Sequence, residues 1–232
     1  MLVAGFPAGP PGTNCWVIAP GQGQECVVID PGIGAEPMLA ELFAKHRLQP
    51  AAVVLTHGHF DHMFSVAPVC GARDIPAYVH PADRYQLTDP WRGIRAPSGT
   101  PLFGQLEFTE PDDVRELADG QVLELAGVAL TVQLTPGHTA GSVVFGLATP
   151  DAPVLFSGDL LFAGSIGRVD LPGGSEEAMV DSLRRVVLPM DDATVVHPGH
   201  GESTTIGRER TANPFLRMAA GDGATQGPRT GL

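Results

Sequence analysis

Seven histidine and aspartate residues follow the ends of short predicted strands and lie close to glycine or proline. They are His57, His59, Asp61, His62, His138, Asp159 and His200. Such positions let a side chain leave the edge of a sheet and converge on a common point. Imidazole and carboxylate groups are ligands that suit zinc, iron or manganese. A single histidine would be weak evidence, but this set predicts a metal site.

The spacing of the four residues in the first loop indicates two ions. Residues two apart in an extended chain share a face, so His57 and His59 can bind one ion together. Asp61 and His62 lie where the chain is predicted to turn into a helix, so they can point to a second ion. Two ions need a bridging ligand, and a carboxylate such as Asp159 can supply one oxygen to each.

The elements that must position these residues are strands and helices in two similar halves. Apolar runs predict strands over 15–18, 26–29, 51–55, 122–125, 128–134, 142–147, 154–157 and 194–196. Helical periodicity predicts helices over 35–48, 60–69, 176–187 and 208–219. This order is the pattern of an α/β protein built as a four-layer αββα sandwich.

We expect one domain over residues 1–219 and a flexible tail over 220–232, which is rich in glycine and polar residues. Residues 86–113 are rich in proline and glycine and predict a long irregular insertion. Such a segment is either a lid over the substrate or a surface loop, and the sequence does not decide between them.

Composition excludes several classes of protein. The formal net charge is −12 and Lys45 is the only lysine, which argues against a nucleic-acid partner. The three cysteines form no CxxC pair, so no disulfide framework is expected and a cytoplasmic location is predicted. No apolar run could span a bilayer, and the N-terminus does not read as a signal peptide. A monomer or homodimer acting on a small molecule is expected.

The whole pattern resembles the metallo-β-lactamase superfamily, and within it the glyoxalase II (hydroxyacylglutathione hydrolase) branch, over residues 1–216. The resemblance implies two divalent ions, zinc first, with iron or manganese as alternatives. The first would bind His57, His59 and His138, the second Asp61, His62 and His200, and Asp159 would bridge them. β-Lactamases with zinc at both sites commonly have cysteine at the bridging position, so the aspartate favours the hydrolase branch.

The resemblance also implies a reaction. A hydroxide bridging the two ions, formed because metal lowers the pKa of bound water from 15.7 to roughly 7, would attack a thioester carbonyl. Asp61 would be the catalytic residue that orients this nucleophile or accepts its proton. Arg168 matches the place of a substrate-binding lysine in glyoxalase II and could grip a carboxylate. Its alternative role is a salt bridge with Asp170.

The sequence differs from glutathione-specific glyoxalase II enzymes in two features, and both argue against glutathione as the substrate. Glutathione-specific enzymes have a tyrosine where this chain has Glu202, and they have a helical domain after the metal site. Here 32 residues follow His200, which is too few for that domain.

Two other reactions stay open. One is the mononuclear-iron persulfide dioxygenase reaction, although those enzymes place a cysteine where this chain has Ile166. The other is lactone or β-lactam hydrolysis. Four further residues are interpreted as structural or surface residues: His46 on the surface at a helix end, Cys70 in the core, His80 after a strand, and His197 packed at a strand end.

Overall fold

Two six-stranded sheets face each other in this computed structural model, which describes residues 1–97, 100 and 108–221. The first sheet consists of β1 (Leu2–Ala8), β2 (Thr13–Ala19), β3 (Glu25–Ile29), β4 (Gln49–Val54), β5 (Ala77–Val79) and β6 (Val114–Glu116), in this order across the sheet. Its first three strands are antiparallel, and β3 to β6 are parallel.

The second sheet consists of β7 (Val122–Leu125), β8 (Val128–Leu134), β9 (Val143–Leu147), β10 (Val154–Gly158), β11 (Val195–Pro198) and β12 (Thr204–Thr205). These strands also lie in chain order, and only β10 and β11 are parallel. In β8, Val128, Leu130 and Val132 are buried while Ala129 and Thr131 are exposed, which is the alternation of a sheet with one covered face.

Helices cover the outer face of each sheet. The first sheet carries α1 (Glu36–His46), α2 (Phe60–Met63) and α3 (Val66–Gly71). The second carries α4 (Glu176–Ser182), which continues as a π-helical turn over Leu183–Val187, together with α5 (Ile206–Ala212) and α6 (Pro214–Ala220).

Three apolar cores separate the layers. Leu39 and Phe43 of α1 pack on the outer face of the first sheet, Phe145 and Phe156 lie between the sheets, and Leu183 packs outside the second sheet. The predicted αββα sandwich is therefore confirmed.

Two helices predicted as continuous are broken. In the first, over 60–69, the amide of Ser65 bonds to the carbonyl of Pro31 at 2.9 Å and its hydroxyl bonds to Gly32, which separates α2 from α3. In the second, over 208–219, Asn213 precedes Pro214 and has ψ 115°, because a residue before proline disfavours the helical region. Its side chain then caps α6 by accepting from the amide of Phe215.

Other predictions meet the structure only in part. The strands β1, β6 and β12 were not predicted. One 3-10 turn, over Arg84–Leu87, overlaps the start of the 86–113 insertion, and a second, over Pro90–Ile94, lies inside it. Residues 98–99 and 101–107 lie outside the described residues. Residues 222–232 of the predicted tail also lie outside them, so the domain boundary stays a prediction. Among the described helices, none is long and apolar enough to cross a membrane.

Candidate metal centre

All seven predicted ligands converge at one edge of the sandwich. The chain leaves β4 into the loop with His57 and His59, leaves β8 toward His138, and ends β10 and β11 just before Asp159 and His200. A backbone bond from the amide of Asn14 to the carbonyl of Gly199, at 2.7 Å, joins the two sheets beside this cluster. The expected positions after strand ends are confirmed for five of these residues, and Asp61 and His62 lie in α2, where the chain was predicted to turn into a helix. Their role as ligands stays a prediction.

The first group consists of His57, His59 and His138, all buried. His59 Nδ1 lies 2.8 Å from His138 Nε2. The other ring nitrogen of His138, Nδ1, donates to the carbonyl of Arg168 at 2.7 Å, so Nε2 is free to face the centre. His57 Nε2 is buried without a partner among the described residues.

The second group consists of Asp61, His62 and His200. His62 Nε2 lies 3.3 Å from His200 Nε2, and His200 Nε2 lies 3.3 Å from Asp61 Oδ2. His62 is fully buried, whereas the side chains of Asp61 and His200 are 15% and 27% exposed. This group therefore forms the more open side of the centre.

Asp159 lies between the two groups. Its Oδ1 is 3.4 Å from His62 Nε2 of the second group, and its Oδ2 is 3.4 Å from His138 Nε2 of the first. Oδ1 is buried without a hydrogen-bond donor among the described residues. One carboxylate thus reaches both groups, which is the arrangement that a bridging ligand requires.

These donor atoms fit divalent metal ions. Imidazole nitrogens 2.8 and 3.3 Å apart face one another in both groups. Zinc–nitrogen bonds of about 2.0–2.1 Å in a tetrahedron would place ligand atoms roughly 3.3 Å apart. A buried nitrogen or oxygen without a partner is costly, and a metal ion satisfies it. A bound ion would therefore satisfy the orphaned atoms of His57 and Asp159.

Charge is distributed unevenly over the centre. Burial, reinforced by the neighbouring imidazoles, lowers the pKa of His57 well below its usual value and that of His59 to about 3. Burial also lowers the pKa of His62, but the nearby carboxylates outweigh it and raise the pKa to about 10. Burial raises the pKa of Asp61, yet His62 and hydrogen bonds from His200 and Thr13 leave it well below normal. His57 and His59 are therefore neutral imidazoles at neutral pH, whereas the carboxylates of Asp61 and Asp159 favour positive charge beside them in the second group.

A supporting residue that the sequence analysis missed is Asp30, which is 2% exposed. Its carboxylate accepts from the amide of Thr56 at 2.8 Å, from the hydroxyl of Thr56 at 2.6 Å and from His62 Nδ1 at 3.0 Å. Since the hydroxyl proton goes to Asp30, the contact of 3.1 Å between Thr56 Oγ1 and His57 Nδ1 must be donated by the histidine. Asp30 thereby sets the tautomer of His57 and of His62, leaving both Nε2 atoms free for metal.

The sequence offered one signal for Asp30. It begins Asp30-Pro-Gly, a turn sequence directly after the strand predicted over 26–29. Its left-handed conformation, with φ 50°, tilts the carboxylate back toward Thr56. Such a conformation is uncommon outside glycine, asparagine and aspartate. Its position at a strand end therefore indicated Asp30 as a candidate residue of the site.

A cavity of about 520 Å³ opens over the centre. Its floor includes His59, Asp61, His138, Asp159 and His200, and its walls are Pro11, Phe60, Ile94, Phe162, Arg168 and Leu171. The guanidinium of Arg168 is 60% exposed and makes two bonds to Asp170, at 2.7 and 2.8 Å. Both readings of Arg168 are thus compatible with its place: it lines the cavity and it is paired with Asp170.

The four residues interpreted as structural or surface residues occupy the helix-end, core and strand-end positions that were expected. His197 is in β11 with its ring centroid 4.3 Å from that of Trp16, and its Nδ1 contacts Ser203 Oγ at 2.8 Å. Cys70 is buried in α3, His46 ends α1, and His80 directly follows β5. None belongs to either metal group.

Comparison with known proteins gives a consistent family. The family model for the metallo-beta-lactamase superfamily matches residues 8–200. An uncharacterised protein of Mycobacterium tuberculosis is 48% identical over 220 residues, covering 93% of this chain and 98% of that protein. The hydroxyacylglutathione hydrolase GloC of Haemophilus influenzae is 32% identical, covering 71% of this chain and 74% of that protein.

Two solved structures are also similar. One, described as BLEG-1 B3 metallo-beta-lactamase, has a TM-score of 0.81 and 38% identity, covering 93% of this chain and 99% of that one. The other, TTHA1623 in a di-iron-bound form, has a TM-score of 0.74 and 39% identity, covering 91% of this chain and 99% of that one.

Proposed function

Because the chain belongs to the metallo-beta-lactamase superfamily, whose members at this similarity include metal-dependent hydrolases, we propose that it hydrolyses small-molecule thioesters at a two-metal centre. The observation that carries the proposal is the position of Asp159, whose two oxygens lie 3.4 Å from a ligand nitrogen of each group. We place the protein in the cytoplasm, which fits three cysteines that are free and buried.

His57, His59 and His138 would hold the first ion, Asp61, His62 and His200 the second, and Asp159 both. We propose zinc, with iron and manganese as the alternatives that a metal analysis distinguishes. Bound divalent ions supply Lewis acidity and lower the pKa of water, which is the chemistry of metal-dependent hydrolysis.

Asp61 is the residue best placed to act on the attacking water. It lines the cavity, and its Oδ2 is held by the hydroxyl of Thr13 at 2.8 Å. Its pKa is held well below the usual range by His62, His200 and Thr13, against the effect of burial, so it is ionised at neutral pH. An ionised carboxylate can only accept hydrogen bonds, so Asp61 would orient a water molecule by accepting from one O–H. Because a low pKa makes it a weak base, the orienting role is favoured over acceptance of the proton.

The cavity walls suit a substrate with an apolar part and one anionic group. Phe60, Ile94, Phe162 and Leu171 supply the apolar surface, and Arg168 is the cation on the cavity wall. A substrate carboxylate would take the place of Asp170 in the paired bonds that the guanidinium makes now.

Glutathione itself is not favoured by the structure of the last loop. Glu202, which stands where glutathione-specific enzymes have tyrosine, is exposed and pairs with Arg208 at 3.2 Å. It is not among the residues that line the cavity. We therefore propose a thiol smaller or less charged than glutathione.

β-Lactam hydrolysis is a second candidate, supported by the 38% identity to a structure described as a B3 metallo-beta-lactamase. The persulfide dioxygenase alternative is less favoured, because those enzymes have a cysteine where this chain has Ile166. Isoleucine has no thiol, and its side chain packs against the outer core of the second sheet.

The test is a screen of the purified, metal-analysed protein against thioesters of several thiols, a chromogenic lactam, and a persulfide with oxygen uptake as the readout. We expect thioester cleavage, and loss of both metal and activity in Asp159→Ala and His59→Ala but not in Asp151→Ala, which changes an exposed aspartate. Turnover of the lactam or persulfide without thioester cleavage, in protein containing two metals, would refute the proposal.

A further inference from the structure

A second buried carboxylate, Asp83, lies behind the first metal group without belonging to it. It is 1% exposed and precedes the 3-10 turn Arg84–Leu87, which opens the insertion. No lysine, arginine or histidine is within salt-bridge distance of it among the described residues. A buried charge of this kind needs a specific reason, because burying it unpaired is costly.

The reason lies in its three donors, which come from two separate loops. Asp83 Oδ2 accepts from the amide of Gly58 at 2.9 Å and from the hydroxyl of Thr139 at 2.6 Å. Asp83 Oδ1 accepts from the amide of Gly141 at 2.9 Å. Gly58 lies between His57 and His59 of the first sheet, whereas Thr139 and Gly141 follow His138 of the second.

Steric packing makes the same junction tight. A Cβ atom on Gly58 would lie 2.8 Å from the carbonyl oxygen of Asp83, and one on Gly141 would lie 2.6 Å from its Cγ. Both contacts are closer than real Cβ atoms tolerate, so the two loops touch the aspartate only because both positions are glycine. The carboxylate thus fixes the separation of the two loops.

The side chain of Gln86, three residues further on, packs at the same junction between the loops. It is 1% exposed, and neither atom of its amide has a hydrogen-bond partner among the described residues. A Cβ atom on Gly58 would lie 2.9 Å from its Nε2, and one on Gly93 would run into its Oε1 and lie 3.4 Å from Cδ2 of His59. A buried polar side chain therefore lies beside the ring of His59, whose own Nε2 is also buried and unpartnered.

We propose that Asp83 is a positioning residue for the first metal ion: by joining the loops of His57–His59 and His138, it holds their nitrogens at the separation that one ion requires. The observed separation is 2.8 Å between His59 Nδ1 and His138 Nε2, close to the roughly 3.3 Å between ligand atoms of a tetrahedral zinc ion. All three donors to Asp83 are N–H or O–H groups, so only an acceptor-only carboxylate satisfies them together. The proposal depends on the two-metal centre but not on the identity of the substrate.

The experiment measures metal binding by Asp83→Asn in the full-length protein, because an amide has one acceptor oxygen. With that oxygen at the place of Oδ2, its NH₂ group faces the amide of Gly141, and in the other orientation the NH₂ group faces the donors of Gly58 and Thr139. Zinc titration of the metal-free protein against a chromophoric chelator should show one of the two binding steps weakened roughly 10- to 100-fold, the range found when an outer-shell partner of a ligand is removed. The other step should stay within threefold. The visible spectrum of the cobalt-substituted variant should lose the bands of the first ion.

Two further variants keep the proposal testable if Asp83→Asn does not fold. Thr139→Val removes one donor without changing the side-chain volume much, whereas Thr139→Ser keeps it. We expect about tenfold weaker binding of one zinc ion in the valine variant and near-normal binding in the serine variant. Asp191→Asn is the control, because this exposed carboxylate also accepts a backbone amide, from Ala193, but outside the site.

A merely structural role for Asp83 predicts a different result. In that case the variants would lower the melting temperature of the metal-free protein, while both zinc affinities and the cobalt spectrum would match the wild type. That outcome, or equal weakening of both binding steps, would overturn the proposal.

Discussion

Asp30→Asn is the substitution with the most specific expected effect on the metal centre. Asp30 accepts three hydrogen bonds, from the amide and hydroxyl of Thr56 and from His62 Nδ1. With the asparagine oxygen facing the amide of Thr56, the new NH₂ group faces the other two. His62 Nδ1 must then accept, and its proton moves to Nε2, the atom needed for metal.

The same change reaches His57. The NH₂ group donates to Thr56 Oγ1, which frees the threonine proton for His57 Nδ1 and again places the imidazole proton on Nε2. One substitution therefore disturbs a ligand of each ion. Removal of such a partner typically weakens metal binding 10- to 100-fold. This corresponds to about 1.4–2.7 kcal/mol for each ion.

The backbone should tolerate the substitution, because asparagine adopts the left-handed conformation of Asp30 (φ 50°) as readily as aspartate. The matched control is Asp74→Asn, which changes an exposed aspartate with φ 54° and no role at the centre. Zinc affinities come from competition with a chelator, and folding is checked by circular dichroism. Unchanged affinity for both ions in a folded Asp30→Asn protein would show that the tautomer argument is wrong.

Four other outcomes are expected. Gly199→Ala places a Cβ against Asp159 and 2.7 Å from Cε1 of His62, so metal content and turnover should fall at least about tenfold. Gly71→Ala is the control, because the space around Gly71 is open, and it should change neither quantity. Arg168→Gln should raise KM for anionic thioesters with little change in kcat, and equal KM values would contradict the substrate role. Chelation of a metal present at a thousand times Kd should remove about 4 kcal/mol of stability, lowering Tm by roughly 8–16 °C until metal is restored. Burial lowers the pKa of His197 to about 4, so its stabilising contribution is complete above about pH 6.5 and is lost as the pH falls toward 4. His197→Phe should therefore reduce the loss of unfolding free energy between these pH values by ~2 kcal/mol, measured by unfolding experiments.

The seven candidate ligands could be predicted because their signal is local. Each is a histidine or aspartate in a short segment that follows a strand and contains glycine or proline, and four of them occur within six residues. The layers could be predicted for a similar reason, since strands such as β8 and β10 are either alternating or continuously apolar.

The hydrogen bonds of Asp30 and Asp83 could not be predicted because their partners are distant in the chain, although the Asp-Pro-Gly turn marks Asp30 as a polar residue at a strand end. Asp30 lies 26 residues from Thr56, and Asp83 lies 56 residues from Thr139. Nothing near them in the sequence indicates a hydrogen-bond partner. The helix break at Ser65 has the same cause, because the amide of Ser65 bonds to the distant Pro31 only in the folded protein. The helix break at Asn213 instead depends on the proline that follows it.

The metal cage alone does not determine the substrate. A hydroxyacylglutathione hydrolase and a structure described as a B3 metallo-beta-lactamase are 32% and 38% identical to this chain. Selectivity must therefore depend on groups that meet the substrate but not the metal. The cavity residues to which our proposal assigns this role are Arg168, which follows Asp159 on the same loop, and Ile94, which ends the 3-10 turn of the insertion. Asp83 anchors the start of that insertion to the loops of both sheets, so this cavity wall and the candidate metal ligands share one buried support.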